Sequence, residues 1–118
     1  MPGKLARPPM MGFLKYMFST SVKRITKTEL AKMIESGSNY EIIDVREPSE
    51  CKEGMIPTAK NIPYSTFFRL LETDSQELPD DLVLYCYAGP RASRMAYEAE
   101  QRGKNVLLYY GGWSEWCY

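Results

Sequence analysis

Leu82-Val83-Leu84-Tyr85-Cys86, running on into Tyr87-Ala88-Gly89-Pro90-Arg91, is the stretch of this 118-residue chain that decides its fold. The first five residues are continuously apolar, as a strand covered on both faces of a parallel sheet must be. A helix is expected over Ala92–Arg102, stopped by Gly103, so the six residues Cys86 to Arg91 join a buried strand to a helix. The same alternation extends outward in both directions. Downstream, Val106–Tyr110 predicts another buried strand, ended by Gly111-Gly112. Upstream, Glu41–Val45 is a short β-branched strand and Lys60-Asn61-Ile62 a briefer one stopped by Pro63. Between them and the central strand, Tyr64–Leu71 predicts a helix with Phe67, Phe68 and Leu71 apolar, followed by a polar loop over Glu72–Asp81. Thr26-Lys27-Thr28-Glu29 is a capping box that opens a helix carrying Leu30, Met33 and Ile34, with Gly37 placed to end it. Strands alternating with helices at this spacing predict an α/β domain: a mainly parallel central sheet with helices on both faces.

Composition narrows the function. Apolar residues make up 44% and charged residues 25%, the balance of one globular domain. No apolar run reaches the roughly 18 residues of a membrane span, because Lys15 interrupts the best candidate, Met10–Phe18. The chain has no histidine, which excludes His-ligated metal sites and His-based triads. Its three cysteines, Cys51, Cys86 and Cys117, are odd in number and widely spaced, so free thiols in a reducing compartment are expected rather than a disulfide framework or zinc site. The formal charge of zero hides an asymmetry. Residues 1–28 hold six basic residues and no acid, so the body is acidic and nucleic acid is not an expected partner.

Residues 1–24 are predicted to be a basic leader and 25–118 the domain. In the leader, Met10, Phe13, Leu14, Met17 and Phe18 line one helical face, which suits a mitochondrial presequence; a helix packed on the domain, with a cytoplasmic location, is the alternative.

In parallel sheets, ligands bind beyond the carboxyl ends of the strands, where Cys86 falls. A tight loop here curls its backbone N–H groups inward, with Gly89 free to take positive φ. Those amides, the helix N-terminus and Arg91 form an anion cradle around the sulfur and favour thiolate over thiol. The bland reading of a lone Cys at a strand end is a small core residue. Strand, Cys, Gly, Arg and helix in sequence are more specific.

These residues resemble the rhodanese (thiosulfate sulfurtransferase) family from Ile25 to Trp116. Asp44-Val45-Arg46-Glu47-Pro48 resembles its DVREP segment. Gly54, Ile56-Pro57, Ala59 and Asn61-Ile62-Pro63 resemble its GHIPGAxNIP segment. Cys86-Tyr87-Ala88-Gly89-Pro90-Arg91 resembles the CxxGxR loop, and Gly111–Trp116 the closing GGWxxW. The resemblance implies a single-domain enzyme, monomeric and without cofactor or metal, whose Cys86 takes sulfur from a small donor and passes it to cyanide or a thiol. It implies substrate binding by Tyr87, Ala88, Gly89 and Arg91. Met55 stands where the family commonly has His, Thr58 where it has Gly, and Cys51 where it has an aromatic residue. Pro90 removes one N–H from the cradle, which weakens it for a dianion such as thiosulfate.

Asp44 and Arg46 are expected to give structural support, with Glu47 or Glu50 as partners of Arg46. Arg94 is expected on a solvated helix face. Cys51 reads as a packing residue and Cys117 as a tail thiol, although either offers a second thiol to a persulfide. Trp113 and Trp116 are expected to close the core beneath the site. A phosphatase or arsenate reductase is disfavoured because only four residues lie between Cys86 and Arg91. A non-enzymatic sulfur carrier is the remaining alternative.

Overall fold

The computed structural model describes residues 22–118, so the leader helix expected over Met10–Phe18 lies outside the described residues. Five parallel strands form one sheet: β1 (Lys23–Arg24), β2 (Glu41–Asp44), β3 (Lys60–Asn61), β4 (Asp81–Tyr85) and β5 (Asn105–Leu108), in the order β1-β5-β4-β2-β3. Among the described residues four α-helices connect and cover them: α1 (Lys27–Ser36), α2 (Tyr64–Glu72), α3 (Pro90–Gln101) and α4 (Gly112–Trp116). The α/β class and the parallel sheet are as the sequence predicts.

The side-chain alternation of β4 divides the core in two. Leu82, Leu84 and Cys86 join Phe67 and Leu71 of α2 and Met95, Ala96 and Ala99 of α3. Val83 and Tyr85 join Leu30 of α1 and Tyr109 on the other face, where Trp113 and Trp116 of α4 pack half-buried. Continuous apolarity was therefore a true sign of a strand buried on both faces. The register pairs Asp44 with Tyr85 and Leu84 with Leu108, so β2, β4 and β5 all finish at one edge. Everything that follows in the chain after those residues is gathered there.

The capping box of α1 is complete. Thr26 Oγ1 accepts from the Glu29 amide at 3.1 Å and Glu29 Oε1 from the Thr26 amide at 2.8 Å. Gly37 ends the helix in the left-handed region, with φ 70°.

Three elements are additional to those expected: β1, α4 and a 3-10 turn over Glu50–Glu53. Lys23 and Arg24, grouped with the leader in the sequence, pair with Leu107 and Leu108 at the sheet edge. Two exposed charged residues carry no strand pattern, and charge is how sheet edges are protected from further pairing. Helix α3 starts at Pro90 rather than Ala92, since a proline at the first turn has no N–H to lose.

Thr58 sits at φ 68°, one of two non-glycine residues with positive φ among those described. A β-branched residue is strained there, and glycine is not. We expect Thr58→Gly to raise stability by about 1 kcal/mol, the left-handed penalty less glycine's extra unfolded-state entropy. Urea unfolding reads it; a lowered midpoint would contradict the assignment of strain.

Candidate active site

Cys86 directly follows β4 and is buried, 1% exposed. Its Sγ accepts hydrogen bonds from the amides of Gly89 at 3.1 Å and Ala92 at 3.4 Å. Two N–H dipoles on one sulfur, at the start of the twelve-residue helix α3, stabilise negative charge on it. Gly89 adopts φ 116°, and a Cβ there would meet the Tyr110 ring at 2.7 Å. Both the turn and the close approach therefore demand glycine.

Helix α4 holds the other side of the loop. The amides of Trp113 and Ser114 donate to the carbonyls of Cys86 and Tyr87, each at 2.9 Å. That approach is possible because Gly112, at φ 65°, has no Cβ; one would lie 2.6 Å from the Tyr87 carbonyl oxygen. Reading Gly111-Gly112 as a strand stop and as part of the closing GGWxxW segment missed this role. The signal was present in the glycine pair followed by Trp113, and its target lies 26 residues upstream.

At the adjacent end of β2, Asp44 and Arg46 form a buried ion pair. Arg46 Nε lies 3.1 Å from both Asp44 oxygens and Nη2 lies 2.8 Å from Oδ2. The remaining donors reach the carbonyls of Glu50 at 3.1 Å and Gly54 at 2.8 Å. The guanidinium also lies over the Trp113 ring, 5.2 Å from its centroid. Burial pulls the Arg46 pKa down, but the bonds to Asp44 and its charge outweigh burial and leave it raised. Tyr85 completes the cluster. Its hydroxyl accepts from the Ile56 amide at 3.1 Å, and burial followed by its bond to Asp44 raises its pKa.

The expected partners of Arg46 need correction. Its carboxylate is Asp44; Glu50 offers it only a backbone carbonyl, and no bond from Glu47 reaches it. The side chain of Glu50 turns to Arg91 instead, accepting from Nη1 at 2.7 Å and Nη2 at 2.9 Å. The Glu47 amide donates to the same carboxylate at 2.9 Å. The Arg91 fork first, aided by the Glu47 amide, holds Glu50 well below the usual carboxylate range, at about 2 against the opposing effect of burial. Arg91 is raised in turn by Glu50.

Of the other residues singled out, Tyr87 and Ala88 are exposed on the loop. Arg94 pairs with Glu98 at 3.0 Å along α3. Cys51 is half-buried, its thiol pKa pushed up by burial and then by the Asp44 charge, whereas Cys117 is exposed. Among the described residues no helix is long and apolar enough to cross a membrane.

Residues 26–118 match the rhodanese-like domain family. The chain belongs to that family. It is 32% identical over 87 residues to a putative mitochondrial thiosulfate sulfurtransferase of Schizosaccharomyces pombe, an alignment covering 64% of this chain and 61% of that one. It is 30% identical over 95 residues to a putative sulfurtransferase of Bacillus subtilis, covering 80% and 90%. The human single-domain sulfurtransferase structure superposes with a TM-score of 0.69 at 27% identity, covering 82% and 96% of the two chains. This rhodanese-like chain is therefore one of a sulfurtransferase family.

Two tests follow. Arg46→Met leaves the Asp44 carboxylate buried and unpaired, so we expect a loss of about 3–5 kcal/mol in urea unfolding; an unchanged midpoint would show the pair to be dispensable. The lowered Glu50 pKa contributes stability that is present above its ordinary value of 4.5 and is lost as pH falls towards about 2. Across that interval Glu50→Gln should lose less stability than wild type, by about 1 kcal/mol after solvent screening. Parallel acid titrations would contradict the Glu50–Arg91 pairing.

Proposed function

We propose that this protein is a sulfurtransferase that carries one sulfane sulfur at a time on Cys86. The observation that supports the reading best is the Cys86 sulfur at the carboxyl end of the central strand, bonded by the Gly89 and Ala92 amides. An anion-stabilised thiolate is an activated nucleophile, and sulfur transfer between anions needs no proton-transfer base.

In the first half-reaction the Cys86 thiolate attacks the outer sulfur of the donor. With thiosulfate, a new S–S bond forms to Cys86 while the donor S–S bond breaks, and its electron pair leaves with sulfite. The Cys86 persulfide keeps the transferred sulfur as an anion among the loop amides, with Tyr87, Ala88, Gly89 and Arg91 lining the approach. In the second half-reaction an acceptor thiolate, or cyanide, attacks that outer sulfur. The Cys86–S bond breaks and returns the electron pair to Cys86 as thiolate. Two half-reactions on one nucleophile give ping-pong kinetics. Asp44 and Arg46 act by positioning, and neither reaches the sulfur. The protein works as a monomer on small sulfur donors and thiol acceptors. Its basic leader, together with a relative named as mitochondrial, supports a mitochondrial address.

The test is intact mass after thiosulfate treatment. Wild type should gain one sulfur, reversed by cyanide, and Cys86→Ser should gain none while keeping its circular dichroism spectrum. An equal gain in the variant would place the chemistry on Cys51 or Cys117 and overturn the proposal.

A further inference from the structure

Arg91 is the one side-chain cation within the Cys86–Arg91 loop, and both its terminal nitrogens are bonded to Glu50, at 2.7 and 2.9 Å. The fork that would otherwise bind the oxygens of an incoming sulfur oxyanion is thereby occupied. The pair is half-exposed, so its charge faces the solvent from which a donor arrives. Glu50 is also fixed from its own side, because the Glu47 amide bonds its carboxylate and Arg46 bonds its carbonyl. The Glu50 carboxylate therefore offsets the one cation that the loop itself carries. What remains is the backbone: the amides on Cys86 Sγ stabilise a single charge on sulfur, and Pro90 contributes no N–H.

We infer that Glu50 is a specificity-determining residue, which by neutralising Arg91 biases the site toward donors bearing one charge on the transferable end, persulfides, over the dianion thiosulfate. The inference rests on the sulfurtransferase reading and assigns its donor class. It requires no new chemical step. A persulfide donor delivers its outer sulfur to the Cys86 thiolate, and its own thiolate leaves with the electron pair of the broken S–S bond.

The experiment compares wild type with Glu50→Gln, whose amide oxygen still accepts from Arg91 and from the Glu47 amide. One arm measures sulfate, a non-transferring dianion, by its protection of Cys86 from iodoacetamide, read on the Cys86 peptide. The other measures kcat/KM with thiosulfate and with cysteine persulfide. Removing one negative charge beside the loop should tighten sulfate about fivefold. The thiosulfate-to-persulfide ratio of kcat/KM should rise by a similar factor, through KM rather than kcat. A merely structural Glu50 would change both donors equally, and that result overturns the inference. So does sulfate that binds Glu50→Gln no more tightly than wild type, or that protects neither protein. If neither donor loads sulfur onto wild-type Cys86, the sulfurtransferase reading falls, while the sulfate constants still decide the effect of Glu50 on a dianion.

Discussion

The buried pair of Asp44 and Arg46 is the constraint on which the geometry of the site depends. A guanidinium and a carboxylate both removed from water are tolerable only when each remaining donor and acceptor is met, and here they are met by the segments that surround the reactive loop. Arg46 fixes the Glu50 and Gly54 carbonyls, and so fixes the 3-10 turn between them. That turn presents the Glu50 side chain to Arg91. Arg46 also lies against Trp113, whose amide holds the Cys86 carbonyl. Two separate routes thus lead from one buried cation to the two ends of the Cys86 loop.

The sheet register explains why so few residues suffice. Because Asp44 is opposite Tyr85, the chain leaving β2 and the chain leaving β4 emerge side by side. Asn61 ties in the third segment, donating from its amide nitrogen to the Asp44 and Arg46 carbonyls at 2.9 Å each. The rigid part of the site is therefore backbone and buried charge. The exposed part, Tyr87, Ala88 and the Glu50–Arg91 pair, is left to meet a ligand. This division matches what sulfur transfer asks of a protein, which is a fixed anion cradle that substrates of different shape can approach.

Much of this was legible in the sequence, and the remainder was hidden for physical reasons. The apolar run ending at Cys86 and the capping box at Thr26 are local patterns, so strand and helix could be read directly, and with them the position of Cys86 at the end of the strand. Partners set by burial could not. Arg46 has three nearby acids in the chain, and only the fold shows that Asp44 is buried with it while Glu50 serves Arg91. The grip of α4 on the loop depends on segments 26 residues apart, and a five-residue helix has too little periodicity to reveal its purpose. The two-residue strand β1 carries no pattern at all. The strain at Thr58 was foreshadowed by a departure from the family's glycine, although its cause, a positive φ, became visible only in the structure.

The central claim is that the loop amides hold a transferred sulfur on Cys86. A crystal structure of thiosulfate-treated protein, with sulfur located by anomalous scattering, tests it most directly. We expect one additional sulfur bonded to Cys86 Sγ and within hydrogen-bonding distance of the loop amides, with Cys51 and Cys117 unmodified. An unmodified Cys86, or the extra sulfur on either of the other cysteines, would contradict it.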